Sequence, residues 1–194
     1  APLYNPNSNV RLNAGHLGGE KYDLQGIIGT MLMKDPVFPV PSSLIEQACS
    51  FSDYDCGKVF ELGRGVVVKT GKLNHPNGAC GYRIEFDGKV IAICTDTEHY
   101  EGEIDANVVE LAQDADIMVY DSAYTDEEYP KFKGWGHSTW QEAIKVADKA
   151  QVKQTLLFHH DPSHNDDKMD QIAKEAAAVR DGVRPAIEGE EISL

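Results

Sequence analysis

The sequence is short of long apolar runs, basic residues and closely spaced cysteine pairs. No apolar run approaches the ~18 to 20 residues of a membrane-spanning helix, so we expect no membrane segment. The 194 residues carry 18 basic and 32 acidic side chains, a net charge of −14. Because lysine and arginine supply most of the affinity for nucleic acid, this balance disfavours nucleic acid and favours a small substrate or a metal cation.

Cysteine usage and the chain start carry less information. The four cysteines form no Cys-x-x-Cys pair, which favours reduced thiols in a cytoplasmic protein; they are Cys49, Cys56, Cys80 and Cys94. The sequence begins Ala-Pro-Leu-Tyr, with neither a methionine nor a signal-peptide pattern. We therefore expect one domain over residues 1–194 whose N-terminal part is missing.

The middle of the chain has the periodicity of a sheet. Residues 66–68 predict a short buried strand that ends near Lys72, and residues 90–94 predict an apolar one. Residues 82–86 between them alternate between apolar and charged. Asp87-Gly88 between the last two segments predicts a hairpin turn.

The rest of the chain predicts alternating helices and strands after a short N-terminal section. Residues 9–12 form a candidate strand and residues 21–34 a candidate helix. Beyond the sheet the pattern predicts helices at 106–113, 140–147 and 169–176 and strands at 117–120, 155–158 and 186–187. A sheet followed by this alternation favours an α/β sandwich with its helices outside.

Six of the seven histidines fall in four polar segments, three of which directly follow an apolar strand. The segments are residues 73–76, 94–99, 136–139 and 158–166. Imidazole and carboxylate groups are the usual ligands of zinc and similar ions. If His75, Asp96 and His159 converge, they form a set of two histidines and one carboxylate.

The residues alone leave a structural interpretation open. Histidines after strands are often ordinary surface groups, and His16 is expected to be one. Glu98 and His99 can be solvated loop residues, and residues 161–166 can cap the following helix through Ser163 and Asp166. Metal binding and this structural interpretation are about equally favoured.

Gly136-His137-Ser138-Thr139 has properties of its own. Ser138, with Gln141 three residues later, predicts a helix N-cap. A helix N-terminus favours anions such as phosphate, and His137 beside it can donate a proton to a leaving oxygen. The alternative is that Ser138 only caps the helix and His137 only packs.

Taken in order, these segments resemble the metallo-β-lactamase superfamily, specifically its tRNase Z and phosphoribosyl cyclic phosphodiesterase branch. The resemblance is carried by Asn74-His75 with the following Gly81-Tyr82-Arg83-Ile84, by Thr95-Asp96-Thr97, by Gly136-His137-Ser138-Thr139 and by Leu157-Phe158-His159. It implies an αββα four-layer sandwich. It also implies metal ligation by His75, Asp96 and His159, a catalytic His137 that stabilises or protonates the scissile phosphate, and substrate contact by Ser138.

One family motif is missing. The His-x-His-x-Asp-His sequence, which supplies most ligands to both metals in the family, does not occur in this chain. We expect the chain to start just after it, so that the sandwich is N-terminally incomplete. The resemblance implies two divalent ions, Zn or Mn, in the intact enzyme, and one or none held by this chain alone.

The implied activity is hydrolysis of a small cyclic phosphodiester or nucleotide by a metal-bound hydroxide. The acidic charge disfavours tRNA maturation, and a thioester or lactone hydrolase of the same fold is the nearest enzymatic alternative. Asp161, His164 and Asp166 are expected to tune the site. The non-enzymatic alternative is a catalytically incomplete fragment, or a subunit whose partner supplies ligands, with an exposed sheet that favours a homodimer.

Overall fold

The computed structural model describes residues 5, 7–15, 23–33, 38, 39 and 41–194. His16 and residues 1–4 therefore lie outside the described residues. The chain divides into two compact units, Ala1–Cys56 and Gly57–Leu194. The expectation of a single domain stays a prediction.

The first unit contains a parallel pair of strands and short helices. Strand β1 (Val10–Gly15) pairs with β2 (Cys49–Tyr54). Helix α1 (Leu24–Gly26) continues into a π-helical turn over Ile27–Leu32, and α2 spans Ser43–Glu46. The strand and helix predicted near residues 9–12 and 21–34 are thus present in the described residues, whereas β2 was not predicted.

The second unit is built on a mixed sheet. Its strands lie side by side in chain order: β3 (Val59–Gly63), β4 (Val66–Leu73), β5 (Ala79–Phe86), β6 (Lys89–Cys94), β7 (Ile117–Asp121), β8 (Gln154–Phe158) and β9 (Val183–Pro185). Neighbours from β3 to β6 are antiparallel, and those from β6 to β9 are parallel. Asp87 and Gly88 join β5 to β6 with positive φ angles of 48° and 72°, as the predicted hairpin turn requires.

Three helices cover one face of this sheet. They are α3 (Ala106–Ala112), α4 (Trp140–Lys149) and α5 (Asp166–Val179). Ala92, Met118 and Thr155 are cross-strand neighbours on the covered face, and all three are fully buried. The core therefore lies between one helical layer and one sheet layer, with the predicted alternation of helix and strand.

Three predicted element ends are wrong by one to three residues. Thr139, rather than Ser138, caps α4, because its backbone is extended and its side chain accepts a hydrogen bond from the Glu142 amide. Asn165, rather than Ser163, caps α5 in the same way. The last strand is Val183–Pro185 rather than residues 186–187.

The cysteines differ from expectation. Cys49 and Cys94 carry free thiols, but Cys56 and Cys80 are disulfide-bonded, so the expectation of four reduced cysteines is wrong for two of them. Burial raises the pKa of the Cys94 thiol to about 12, which keeps it protonated. Across the described residues, no helix combines the length and apolar character that crossing a membrane requires.

Candidate active site

Four polar side chains meet where the parallel strands end. Asp96 follows β6, Asp121 is the last residue of β7, His159 follows β8, and His137 precedes α4. One potential ligand atom from each of the four lies within 4.8 Å of all the others. Because parallel strands end at the same sheet edge, residues far apart in the chain converge here.

Asp96 and His159 are both held in left-handed backbone conformations, with φ angles of 58° and 62°. Such a conformation costs roughly 1 to 2 kcal/mol per non-glycine residue. It brings Nε2 of His159 to 3.0 Å from Oδ1 of Asp96. Residues in strained conformations tend to cluster at functional sites, and an imidazole beside a carboxylate is a donor pair that suits a divalent ion.

Asp121 is fully buried, and polar groups surround its carboxylate. Oδ2 lies 3.2 Å from the Thr97 amide and 2.9 Å from Nδ1 of His137, while Oδ1 lies 3.3 Å from the Ala123 amide and 3.2 Å from the Ser138 amide. A carboxylate offers about four lone-pair sites. Asp121 therefore acts as the group that orients His137 rather than as an open ligand.

His137 is placed so that it can hold a proton beside Asp96 and His159. Its hydrogen bond with Asp121 raises its pKa, and this effect exceeds the opposing effect of burial. Since an ionised carboxylate only accepts, Nδ1 carries the proton in that bond and Nε2 is left for another partner. The ring stacks on His159 with centroids 4.5 Å apart.

Glu98 fixes the loop that leads to His137. The side chain is only 8% exposed, and its Oε1 accepts hydrogen bonds of 2.7 Å from both the Tyr129 hydroxyl and the Gly134 amide. Its Oε2 accepts a 2.9 Å bond from the Gly136 amide. Burial acts to raise the pKa of Glu98, but these bonds outweigh it and hold the pKa below its usual range. Glu98 is therefore a structural anchor, and its interpretation as a solvated loop residue is wrong.

Ser138, the residue after His137, has a buried side chain that bonds to other protein groups. Its side chain is fully buried, with Oγ 2.9 Å from Nδ1 of His99 and 3.3 Å from the Tyr120 hydroxyl. Burial lowers the pKa of His99, which favours the neutral imidazole in this contact. The Ser138 hydroxyl thus already bonds to protein groups, and its contact with substrate stays a prediction.

His75 lies beside the four clustered residues but is not one of them. Its ring centroid is 5.9 Å from that of His137, and its edge faces Gly136. Asn74 fixes the segment, because its carbonyl accepts from the Glu98 amide at 2.7 Å and its side-chain amide donates to the Glu98 carbonyl at 2.9 Å. Ligation by His75 stays a prediction.

The three residues expected to tune the site make local contacts. His164 lies with Nε2 3.2 Å from Oε1 of Glu128. Asp161 accepts a hydrogen bond from the Ser163 amide, and Asp166 lies in the first turn of α5. Their influence on the site stays a prediction.

Sequence reasoning missed Asp121 although a signal was present. Asp121 directly follows the apolar residues 117–120, the same position relative to a strand as the polar segments that were singled out. The importance of Glu98 had no comparable signal, because its partners Gly134 and Gly136 lie 36 and 38 residues away in the chain.

The compact cluster of histidine and aspartate at the carboxyl ends of the parallel strands is a group of side chains that could hold a metal ion. The sequence profile of the "Beta-lactamase superfamily domain" matches residues 38–160. The chain belongs to the metallo-β-lactamase superfamily, in the branch related to ribonuclease Z. The family and the α/β fold expected from the motifs are thereby confirmed.

Three comparisons illustrate the relationship. Ribonuclease Z of Gemmatimonas aurantiaca is 32% identical over 132 residues, which cover 68% of this chain and 40% of that protein. The metallo-β-lactamase fold protein YhfI from Bacillus subtilis has a TM-score of 0.62 at 19% identity, covering 75% of this chain and 56% of that one. A diphosphatase from the PhnP family has a TM-score of 0.51 at 21% identity, covering 76% and 50%. The chain thus spans about half the length of these proteins.

Proposed function

We propose that the complete protein is a metal-dependent phosphodiesterase that acts on a small cyclic phosphodiester or a nucleotide. The observation that carries the proposal is His137, which a buried carboxylate orients and which stacks on His159 beside Asp96. A histidine held in this way suits proton transfer to a leaving oxygen. The net charge of −14 favours a small ester over a polyanion.

Asp96 and His159, together with His75, which lies beside His137, would hold divalent ions, Zn or Mn, two in the complete enzyme. Bound ions would polarise the phosphate oxygens and lower the pKa of a bound water. The residues of this chain would orient and donate a proton. Asp121 keeps a proton on Nδ1 of His137, and Nε2 of His137 donates a hydrogen bond or a proton to the leaving oxygen. Glu98 keeps the loop of His137 in place.

A ribonuclease is the second candidate, because the relative that is 32% identical is named Ribonuclease Z. A catalytically incomplete or partner-dependent subunit is the third, since the His-x-His-x-Asp-His motif does not occur in this sequence. A homodimer and a cytoplasmic location stay predictions. The cytoplasmic location was predicted in part because all four cysteines were expected to be reduced. Cys56 and Cys80 are disulfide-bonded, so only Cys49 and Cys94 still support that prediction.

The test combines metal analysis with turnover in the full-length protein. We expect about two divalent ions per chain, as a two-metal site requires, and hydrolysis of 2′,3′-cyclic AMP in preference to a precursor RNA. His159→Ala should lose both metal and turnover. His137→Ala should keep its metal and lose roughly 10²- to 10⁴-fold in kcat, the usual range for a general acid.

Each other outcome has a distinct meaning. A full-length protein that binds close to zero metal supports the partner-dependent subunit. Preference for the RNA supports the ribonuclease. An unchanged rate in His159→Ala contradicts the ligand assignment, and a loss of metal in His137→Ala contradicts the role of His137 as a proton donor.

A further inference from the structure

Trp135 is a large apolar side chain left in solvent two residues before His137. Its exposed fraction is 62%, whereas Trp140, the other tryptophan of the chain, is 5% exposed. Two residues of chain separate Cα atoms by at most about 7 Å. An exposed tryptophan this close to a candidate catalytic histidine is positioned for contact with a bound molecule.

The backbone on both sides of Trp135 is fixed. The amides of Gly134 and Gly136 bond to the two carboxylate oxygens of Glu98, and the Trp135 amide donates to the Phe132 carbonyl at 3.1 Å. The exposed position is therefore set by the fold. A ring that is already ordered loses little conformational entropy when a ligand binds to it.

Aromatic rings connect Trp135 to the site. Phe132 packs edge-to-face against Trp135 with centroids 5.4 Å apart, and Tyr124 stacks on Phe132 at 4.4 Å. Tyr124 in turn lies edge-on to His137 at 6.4 Å. Phe132 contacts the indole on one side, and 62% of the Trp135 side chain remains in solvent, where it is available to a ligand.

We propose that Trp135 stacks on the nucleobase of a nucleotide substrate. The inference rests on the proposed function and narrows it, because a nucleotide carries both a phosphoester and a planar base that can stack, whereas a base-free sugar phosphate has no group that stacks. Stacking tolerates any base, since every base has a π face. The site would then select nucleotides as a class rather than one base.

The test measures binding and turnover separately in the full-length, metal-loaded protein. Isothermal titration gives the Kd of AMP and of ribose 5-phosphate for the wild type, Trp135→Ala and Trp135→Phe. Trp135→Ala should raise the Kd of AMP roughly 5- to 150-fold, the range that alanine substitution gives for base stacking. Trp135→Phe should stay within a few-fold of wild type, and ribose 5-phosphate should bind all three proteins alike. Phe86→Ala, which removes a 52% exposed aromatic ring from β5, is the matched control and should change neither Kd.

Three outcomes would overturn the stacking proposal. They are equal affinity of the wild type for the two ligands, no binding of AMP, and an equal effect of Trp135→Ala on both ligands.

Hydrolysis of 2′,3′-cyclic AMP is measured on the same samples. Base-dependent binding through Trp135 without hydrolysis supports the stacking surface and contradicts the phosphodiesterase. If the wild type hydrolyses 2′,3′-cyclic AMP and Trp135→Ala does so at the same rate at subsaturating substrate, the phosphodiesterase proposal is supported and the stacking proposal is contradicted.

Discussion

At the scale of single residues, Asp121 is predicted to affect activity without touching the metal, because it orients His137. In the wild type, Oδ2 of Asp121 lies within hydrogen-bond distance of the Thr97 amide and Nδ1 of His137. In Asp121→Asn one carboxylate oxygen is replaced by an NH₂ group, which cannot accept these hydrogen bonds. His137 would therefore lose its fixed orientation. Loss of proton transfer by His137 should lower kcat by roughly 10²- to 10⁴-fold, and the corresponding aspartate change in serine proteases costs about 10⁴-fold. Steady-state kinetics and metal analysis check this, and the metal content should be unchanged.

Asp114→Asn is the matched control for that substitution. Asp114 is exposed and has a φ of 54°, a conformation that asparagine adopts readily. Its kcat should equal that of the wild type. A similar loss in both variants, or full activity of Asp121→Asn, would contradict the orienting role of Asp121.

Gly136 and Gly134 form a natural pair for measuring how tightly the site is packed. Both have positive φ, 91° and 87°, but a Cβ on Gly136 would lie 2.2 Å from Cδ2 of His75, whereas a Cβ on Gly134 meets no atom within 4 Å. Gly134→Ala should cost about 1 to 2 kcal/mol of unfolding free energy from backbone strain alone. Gly136→Ala should cost clearly more and should also lower kcat.

Urea denaturation and steady-state kinetics on both variants test this difference. Equal losses of stability with kcat unchanged would show that His75 moves aside without consequence, and that its position beside His137 is not needed for activity.

Sequence reasoning anticipated the location of residues whose neighbours along the chain reveal their environment, while their roles as ligands stay a prediction. Asp96 and His159 follow apolar strands, and such strands predict a common sheet edge. Ser138 and Thr139 are both capping residues by type, and only the backbone angles decide between them. Glu98 was misinterpreted because its burial depends on a loop more than 30 residues away.

At the level of elements, Asp116 forms hydrogen bonds that connect the starts of three neighbouring strands. It precedes β7, and it accepts bonds of 2.8 Å from the Val90 amide in β6 and from the Lys153 ammonium before β8. The bond from Lys153 is the main reason that the pKa of Asp116 lies below its usual range. A lowered folded-state pKa contributes stability above the unfolded value of about 3.9 that is lost as the pH falls through the folded value.

Asp116→Asn should therefore lower the unfolding free energy by about 1 kcal/mol at pH 7, since Lys153 is largely exposed. The difference in unfolding free energy between the variant and the wild type should shrink near pH 3. Urea denaturation at both pH values measures this difference. Asp114→Asn is the control and should have the unfolding free energy of the wild type. A difference independent of pH would mean that shape, rather than charge, explains the effect.

The elements that sequence reasoning missed are those with weak patterns. Strand β2 reads Cys-Ser-Phe-Ser-Asp-Tyr, in which polar residues interrupt the apolar ones, and β3 ends at Gly63 before a turn with Arg64 at a positive φ of 52°. Both strands are mostly exposed or half-buried, so few of their residues need to be strongly apolar and the sequence signal is weak. The inner strands β6 to β8 are apolar because the helices cover them, and they were predicted.

For the whole molecule, the net charge of −14 is the dominant electrostatic feature. Self-repulsion among like charges opposes compaction, and salt screens it over a Debye length of about 10 Å at 0.1 M. Raising NaCl from about 0.05 to 0.5 M should therefore raise Tm by about 2 to 4 °C, equivalent to about 1 kcal/mol for a chain of this size. Scanning calorimetry checks the shift.

Two sodium salts distinguish screening from solute exclusion. Sodium sulfate at the same ionic strength should give a similar shift if screening dominates, and a much larger one if exclusion from the protein surface dominates. A Tm that falls or stays constant in NaCl would show that attractive ion pairs outweigh the net repulsion.

The hydrogen bonds of Asp121 and Glu98 have a consequence for how the protein folds. Asp121 bonds to groups 24 and 16 residues away, and Glu98 reaches Gly136 over 38 residues, so each contact closes a long loop. Contacts of this separation bear a larger entropic cost of loop closure than local ones. The candidate active site should consequently be among the last regions to acquire native structure. In pulse-labelled hydrogen exchange, the amides of Thr97, Gly136 and Ser138 should become protected after those of the helices.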